Sequence, residues 1–143
     1  MLINSIDNSI FYTRDFIEGT KLWNKIYSKY RNFSIENMIH YYDSTPVTGL
    51  ALYDDNLKLV GICFYTFTVP YGSNDKTMVV THFVTHPAIR KSFMAGKFLK
   101  KIESIARDNN CVAILYPDCT FNGFFEKHPN KYKVADIIYK QEL

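Results

Sequence analysis

Apolar and polar residues change rhythm along this chain, and each change marks an element. Between residues 15 and 33, Phe16, Leu22, Trp23, Ile26, Tyr27 and Tyr30 recur at the three- and four-residue spacing of one helical face. Gly19 weakens that helix without ending it. Asp15, with Glu18 three residues on, has the form of a capping box at its start. A second, shorter helix is predicted from Ser34 through Ile35, Met38 and Ile39 to Tyr41 and Tyr42. It stops before the turn residues Ser44, Thr45 and Pro46. Ahead of both, residues 9–13 alternate over a short span and suggest a first strand.

From Val47 the period shortens to two. Residues 47–55 and 58–70 read as strands, and Asp54, Asp55 and Asn56 suit the turn of a hairpin between them. In the second strand Val60, Ile62, Phe64, Thr66 and Thr68 are expected on one face. Gly61, Cys63, Tyr65, Phe67 and Val69 are expected on the other. Both faces are largely apolar, which predicts a central strand. After a polar loop at 71–76, Met78, Val79, Val80, Phe83 and Val84 form another β-prone run, ended by Pro87. Helical spacing then returns from Met94 in Phe98, Leu99, Ile102, Ile105 and Ala106, with Asn109 and Asn110 as its stop. A buried strand at 112–118, a short helix at 121–125 and a closing strand at 132–143 complete the order. It predicts one α/β (α+β) domain over residues 1–143, a mixed, mostly antiparallel central sheet flanked by helices.

Composition narrows the function classes. The chain of 143 residues is 47% hydrophobic and 16% aromatic, which fits a single packed core and excludes a disordered chain. Its formal charge of +3 suits an anionic ligand without demanding nucleic acid. Lys97, Lys100, Lys101 and Arg107 lie along one helix, but Glu103 and Asp108 dilute that stripe and no aromatic RNA-binding motif accompanies it. No secretory signal and no long apolar run stand out, so the expectation is a soluble cytoplasmic protein without a membrane partner. Cys63, Cys111 and Cys119 and the histidines 40, 82, 86 and 128 follow no metal-ligand spacing, so free thiols and no metal are expected.

The candidate chemistry gathers in residues 81–106. A strand here runs into a helix whose first turn follows Arg90, Lys91 and Ser92. Free amides at a helix start, beside two cations, make a seat for phosphate or pyrophosphate. The Ser92 hydroxyl either joins that seat or caps the helix. His82 is the one strand residue here whose ordinary pKa lies near neutrality, which makes it a candidate base. A strand histidine with only a structural task is the plainer reading. His86 beside Pro87 reads as a turn residue or a surface ligand contact, Tyr116 as a strand-end core residue or an acid, and Cys119 as no nucleophile.

The segment HPAIRKSFMAGKFL resembles the turn after the fourth strand of the GCN5-related N-acetyltransferase family. Arg90 falls at its leading basic position, Ala95 at its last small position, and Phe98 and Leu99 on its apolar helix face. Phe93 stands where the family usually has its first glycine. Phe124, Phe125, Glu126 and Lys127 are similar to a Phe-Tyr-Glu-Lys element. Phe125 there replaces an acidic tyrosine, leaving that role to Tyr116, Tyr132 or water, and Cys119 stands near a cofactor-contacting asparagine of the family.

The resemblance implies an acyl-CoA N-acyltransferase fold, with acetyl-CoA as acyl donor and an amine on a small molecule or protein as acceptor. It implies that Arg90, Lys91, Ser92, Phe93, Met94, Ala95 and Gly96 hold the pyrophosphate. Phe83, Val84 or Thr85 would align the pantetheine and offer an amide to the thioester oxygen. His82 or water would take the proton. The acceptor would meet the first two helices and the loop at 71–76, with Asp43, Asp54, Asp55 and Asp75 as its negative charges. A homodimer is also implied. The alternative is a catalytically inactive binding protein on the same scaffold, with Phe93 filling the turn.

Overall fold

In the computed structural model, residues 1–24, 35–44, 48–69, 71–90, 92–116, 127–134, 141 and 143 are described. Strands Leu2–Ser5 (β1), Gly49–Tyr53 (β2), Leu59–Thr68 (β3), Thr77–Thr85 (β4) and Ala113–Leu115 (β5) form one sheet in that order. Neighbours are antiparallel from β1 to β4, and β4 and β5 are parallel. Helix Phe93–Asp108 (α3) makes the crossover between the parallel pair. Helices Arg14–Asn24 (α1) and Ile35–Asp43 (α2) stand between β1 and β2 in sequence. This is the mixed, mostly antiparallel sheet with flanking helices that the residue pattern predicts.

β3 is the middle one of the five described strands, and its first seven residues are all buried. One face of the sheet packs Ala51, Leu59, Ile62, Phe64 and Val84 against Phe11 and Phe16. The other packs Leu50, Leu52, Val60, Cys63, Met78, Val80 and Phe83 against Phe98, Ile102 and Ala106 of α3. Each fully buried Phe contributes about 1.5–3 kcal/mol, so the rings of Phe11, Phe16, Phe64 and Phe98 carry a large share of the fold.

Two extra residues break the period-two alternation. Tyr53 pairs with Leu59 and Leu52 with Gly61, so Val60 is extra in β3. Val60 therefore turns to the α3 side with Cys63, not to the side of Ile62 and Phe64, which corrects the expected face. Gly61 faces α3 too, and a Cβ there would stand 3.1 Å from Leu52 and 3.2 Å from Phe98, tighter than ordinary contact, so a larger residue would have to push those side chains aside by a few tenths of an ångström. In β4 the shift lies between the pairs Phe64 with His82 and Tyr65 with Val80, leaving Thr81 extra.

The chain start also differs from expectation. The first strand is Leu2–Ser5, while residues 8–12 form a 3-10 turn because the Asp7 carboxylate accepts the Ser9 amide at 2.8 Å. The capping box at Asp15 is replaced by Thr13, whose hydroxyl accepts the Phe16 amide at 3.2 Å. Glu18 pairs instead with Arg14 at 2.8 Å. The hairpin at Asp54 is present: its carboxylate accepts the amides of Asn56 and Lys58, each at 2.9 Å, and Leu57 takes a φ of 59°. α3 ends as expected, with Asn110 at φ 60° and the Cys111 amide returning to the Ala106 carbonyl at 2.9 Å. The expected helix at 121–125, residues 25–34 and most of the closing strand lie outside the described residues. No described helix is long and apolar enough to cross a membrane.

Candidate active site

β5 accompanies β4 only from Thr77 to Val79. Beyond that point β4 continues through Thr85 on its pairing with β3 alone among the described residues. The His86 amide donates to the Val60 carbonyl at 2.8 Å. Alternation along the strand then turns the amides of His82 and Val84 toward β3, and those of Phe83 and Thr85 toward the parted edge. The expected set of three strand residues narrows to Phe83 and Thr85, while Val84 supplies a core side chain.

The end of β4 runs through the 3-10 turn Pro87–Ile89 into α3. Ile89 is buried and anchors the turn. Arg90 folds back, its guanidinium donating to the Thr85 carbonyl at 3.2 Å, so its charge lies across the strand end. Ser92 occupies the cap position of α3, yet its hydroxyl donates to the Ile89 carbonyl at 2.6 Å and makes no cap bond. The capping reading of Ser92 therefore fails, and the first-turn amides of Phe93, Met94 and Ala95 receive no side-chain cap.

Phe93 does not fill the turn. Its ring is 69% exposed and lies under the Lys97 ammonium, 5.4 Å from the ring centre, on the helix face opposite Phe98. Met94 and Ala95 are half-buried, and nothing stands within 4 Å of a Cβ at Gly96. Arg90, Ser92 and the α3 start thus meet at the end of β4, while Lys91 lies outside the described residues.

The two candidate catalytic side chains stand apart. The His82 ring stacks on Phe64 at 5.6 Å, on the α1 side of the sheet. Its Nε2 is buried and has no hydrogen-bond partner, and burial pushes the imidazole pKa down to about 4. Tyr116 packs on the α3 side, its ring 6.1 Å from that of Tyr132. Burial, then the nearby Tyr132, raises its pKa, so it holds its proton at neutral pH.

Three acids expected to greet a cationic acceptor are engaged elsewhere: Asp43 with the Tyr12 hydroxyl, Asp55 with the Met1 ammonium, and Asp54 within its hairpin. Sequence reasoning missed the Thr81 bulge and the carbonyl of Thr85 as the partner of Arg90. Neither has a residue signature, although Thr-His in an otherwise apolar strand hints at an interruption.

No family model and no curated protein matches the sequence. Solved structures do match along its whole length. The chain resembles ribosomal-protein-alanine N-acetyltransferase from Brucella melitensis with a TM-score of 0.72 at 12% identity, covering 100% of this chain and 99% of that one. It resembles a GNAT family acetyltransferase from Staphylococcus aureus with a TM-score of 0.66 at 19% identity, covering 99% and 98%. An aminoglycoside 6'-N-acetyltransferase from Acinetobacter baumannii gives a TM-score of 0.66 at 12% identity, covering 99% and 97%. At these identities the likeness is one of fold: the chain has the architecture of the GNAT acetyltransferases.

Proposed function

We propose that the protein is an N-acyltransferase that passes an acetyl group directly from acetyl-CoA to an amine of a small molecule or protein. The observation that carries this reading is that, among the described residues, β5 accompanies β4 only as far as Val79, with Arg90 and an uncapped α3 start at the far end of that edge. The α3 amides and Arg90 would take the pyrophosphate. Phe83 and Thr85 would align the pantetheine along β4.

The amine nitrogen attacks the thioester carbonyl, and the C–S bond breaks as the tetrahedral intermediate collapses. A β4 amide facing the parted edge stabilises the oxygen while it carries negative charge. The amine must lose a proton. His82 is unprotonated at neutral pH but holds a proton weakly, so the proton passes through it or directly to water. A thiol of pKa about 8.5 leaves readily as thiolate, and a tyrosine above its usual pKa of about 10 supports it by hydrogen bonding more than by transfer.

A second reading, a binding protein without chemistry, rests on the separation of His82 and Tyr116 onto opposite faces of the sheet. Calorimetric titration with acetyl-CoA, followed by mass spectrometry of an amine panel with labelled acetyl donor, decides between them. Binding with transfer supports the enzyme, and binding without transfer to any amine supports the second reading. No binding at millimolar concentration overturns the enzyme. Arg90→Ala is expected to weaken binding by about tenfold or more with little change in melting temperature.

A further inference from the structure

His86 caps the 3-10 turn Pro87–Ile89 with its side chain: Nδ1 accepts the Ala88 amide at 3.1 Å. A ring nitrogen accepts a hydrogen bond only through its lone pair, so this bond assigns the neutral ring with its hydrogen on Nε2. Protonation would place a hydrogen on Nδ1, facing another donor, and the cap would be lost. The strand would stay in place, because the His86 backbone amide is held separately by the Val60 carbonyl at 2.8 Å.

What the cap holds is the geometry of the proposed anion seat. The turn buries Ile89, returns Arg90 to the Thr85 carbonyl and takes the Ser92 hydroxyl onto the Ile89 carbonyl. The charges around the ring favour its neutral form on balance. Burial lowers the His86 pKa most, Lys58 of the β2–β3 hairpin and Arg90 lower it further, and Asp54 of the same hairpin opposes them.

We propose that His86 is a positioning residue whose unprotonated ring holds the turn presenting Arg90 and the start of α3, so that acidification releases the anion seat. This rests on the acyl-CoA reading above for its ligand, not for its mechanism. Because protonation is disfavoured in the folded form, the cap is complete above the ordinary histidine pKa of about 6.5 and is lost as pH falls below it.

Two measurements from pH 8 to pH 5, above the range where His82 titrates, test the proposal. In the ligand-free protein, the Ala88 amide resonance is expected to titrate together with the His86 ring, and to stay flat in His86→Asn. An Asn side-chain oxygen caps without titrating. Calorimetry with 3'-dephospho-coenzyme A, whose pyrophosphate stays ionised, is expected to show about fivefold weaker binding at pH 5 than at pH 8 in the native protein, the worth of one lost cap. His86→Leu should bind weakly at both pH values, and His86→Asn should restore the pH 8 affinity and lose the pH dependence. A flat native profile, an equal fall in His86→Asn, or an Ala88 amide indifferent to the His86 ring would overturn the proposal. No binding at any pH overturns the acyl-CoA reading and the ligand half of the proposal, while the Ala88 titration still decides whether His86 holds the turn.

Discussion

β4 is two strands in one. From Thr77 to Val79 it lies between β3 and β5, with Met78 fully buried beneath α3. From residue 80 to Thr85 it keeps β3 and, among the described residues, is not paired with β5, and here fall the Thr81 bulge, the orphaned nitrogen of His82 and the carbonyl that receives Arg90. Side-chain burial does not mark the boundary between the halves, since Val80, Phe83, Val84 and Thr85 are buried like Met78, while Thr81 is exposed and His82 half-buried. The difference lies in the backbone. A strand can be sealed by its side chains on both faces and still present peptide groups along an edge, and that combination suits a ligand that needs both a dry wall and directed hydrogen bonds.

The sharpest way to test the division is to remove packing from the sealed half. Met78→Ala leaves a cavity against Phe98 and Ile102 and is expected to cost about 2–5 kcal/mol in urea unfolding, without a specific effect on cofactor affinity. A cost under 1 kcal/mol would show that the first half is not the anchored one.

The parted half should respond to pH instead. His82 has its pKa lowered by burial to about 4 from an ordinary value of about 6.5. The folded form therefore disfavours the proton, and the stability linked to this group is complete above pH 6.5 and falls as the pH drops toward 4. Between pH 7.5 and pH 4.5 the native protein should lose about 2.5 kcal/mol relative to His82→Phe. Parallel pH profiles for the two proteins would remove His82 from the account.

The smallest effect belongs to the bulge. The Thr81 hydroxyl donates to the Phe64 carbonyl at 3.3 Å from an exposed position, so Thr81→Ala should cost only about 0.5–1 kcal/mol in thermal unfolding. A larger loss would mean that the bulge depends on its side chain and not on the chain length of β4.

Much of this was legible in the residues, for identifiable reasons. The central place of β3 follows from two apolar faces, and the α3 stripe and its asparagine stop follow from helical spacing with a residue that tolerates positive φ. The first strand was misplaced because Leu2–Ser5 is short and mostly exposed, so burial imposes no alternation on it. The face of Val60 was misread because a period-two pattern carries no mark for an inserted residue. In the site, the segment HPAIRKSFMAGKFL located the turn, but the choice of Ser92 between capping α3 and bonding Ile89 is set by the path of that turn. The exposure of Phe93 likewise follows from its helical phase relative to Phe98, which depends on where α3 begins.

The Thr81 bulge also has a meaning for inheritance. It amounts to one codon, and deleting it in frame would leave Val80 opposite Tyr65 and His82 opposite Phe64, straightening β4 at that point without exchanging any partner. A lineage can therefore bend or straighten the end of this strand by a single small edit that keeps every other residue facing as before. Such edits escape a letter-by-letter comparison of sequences, while the architecture they act on remains recognisable.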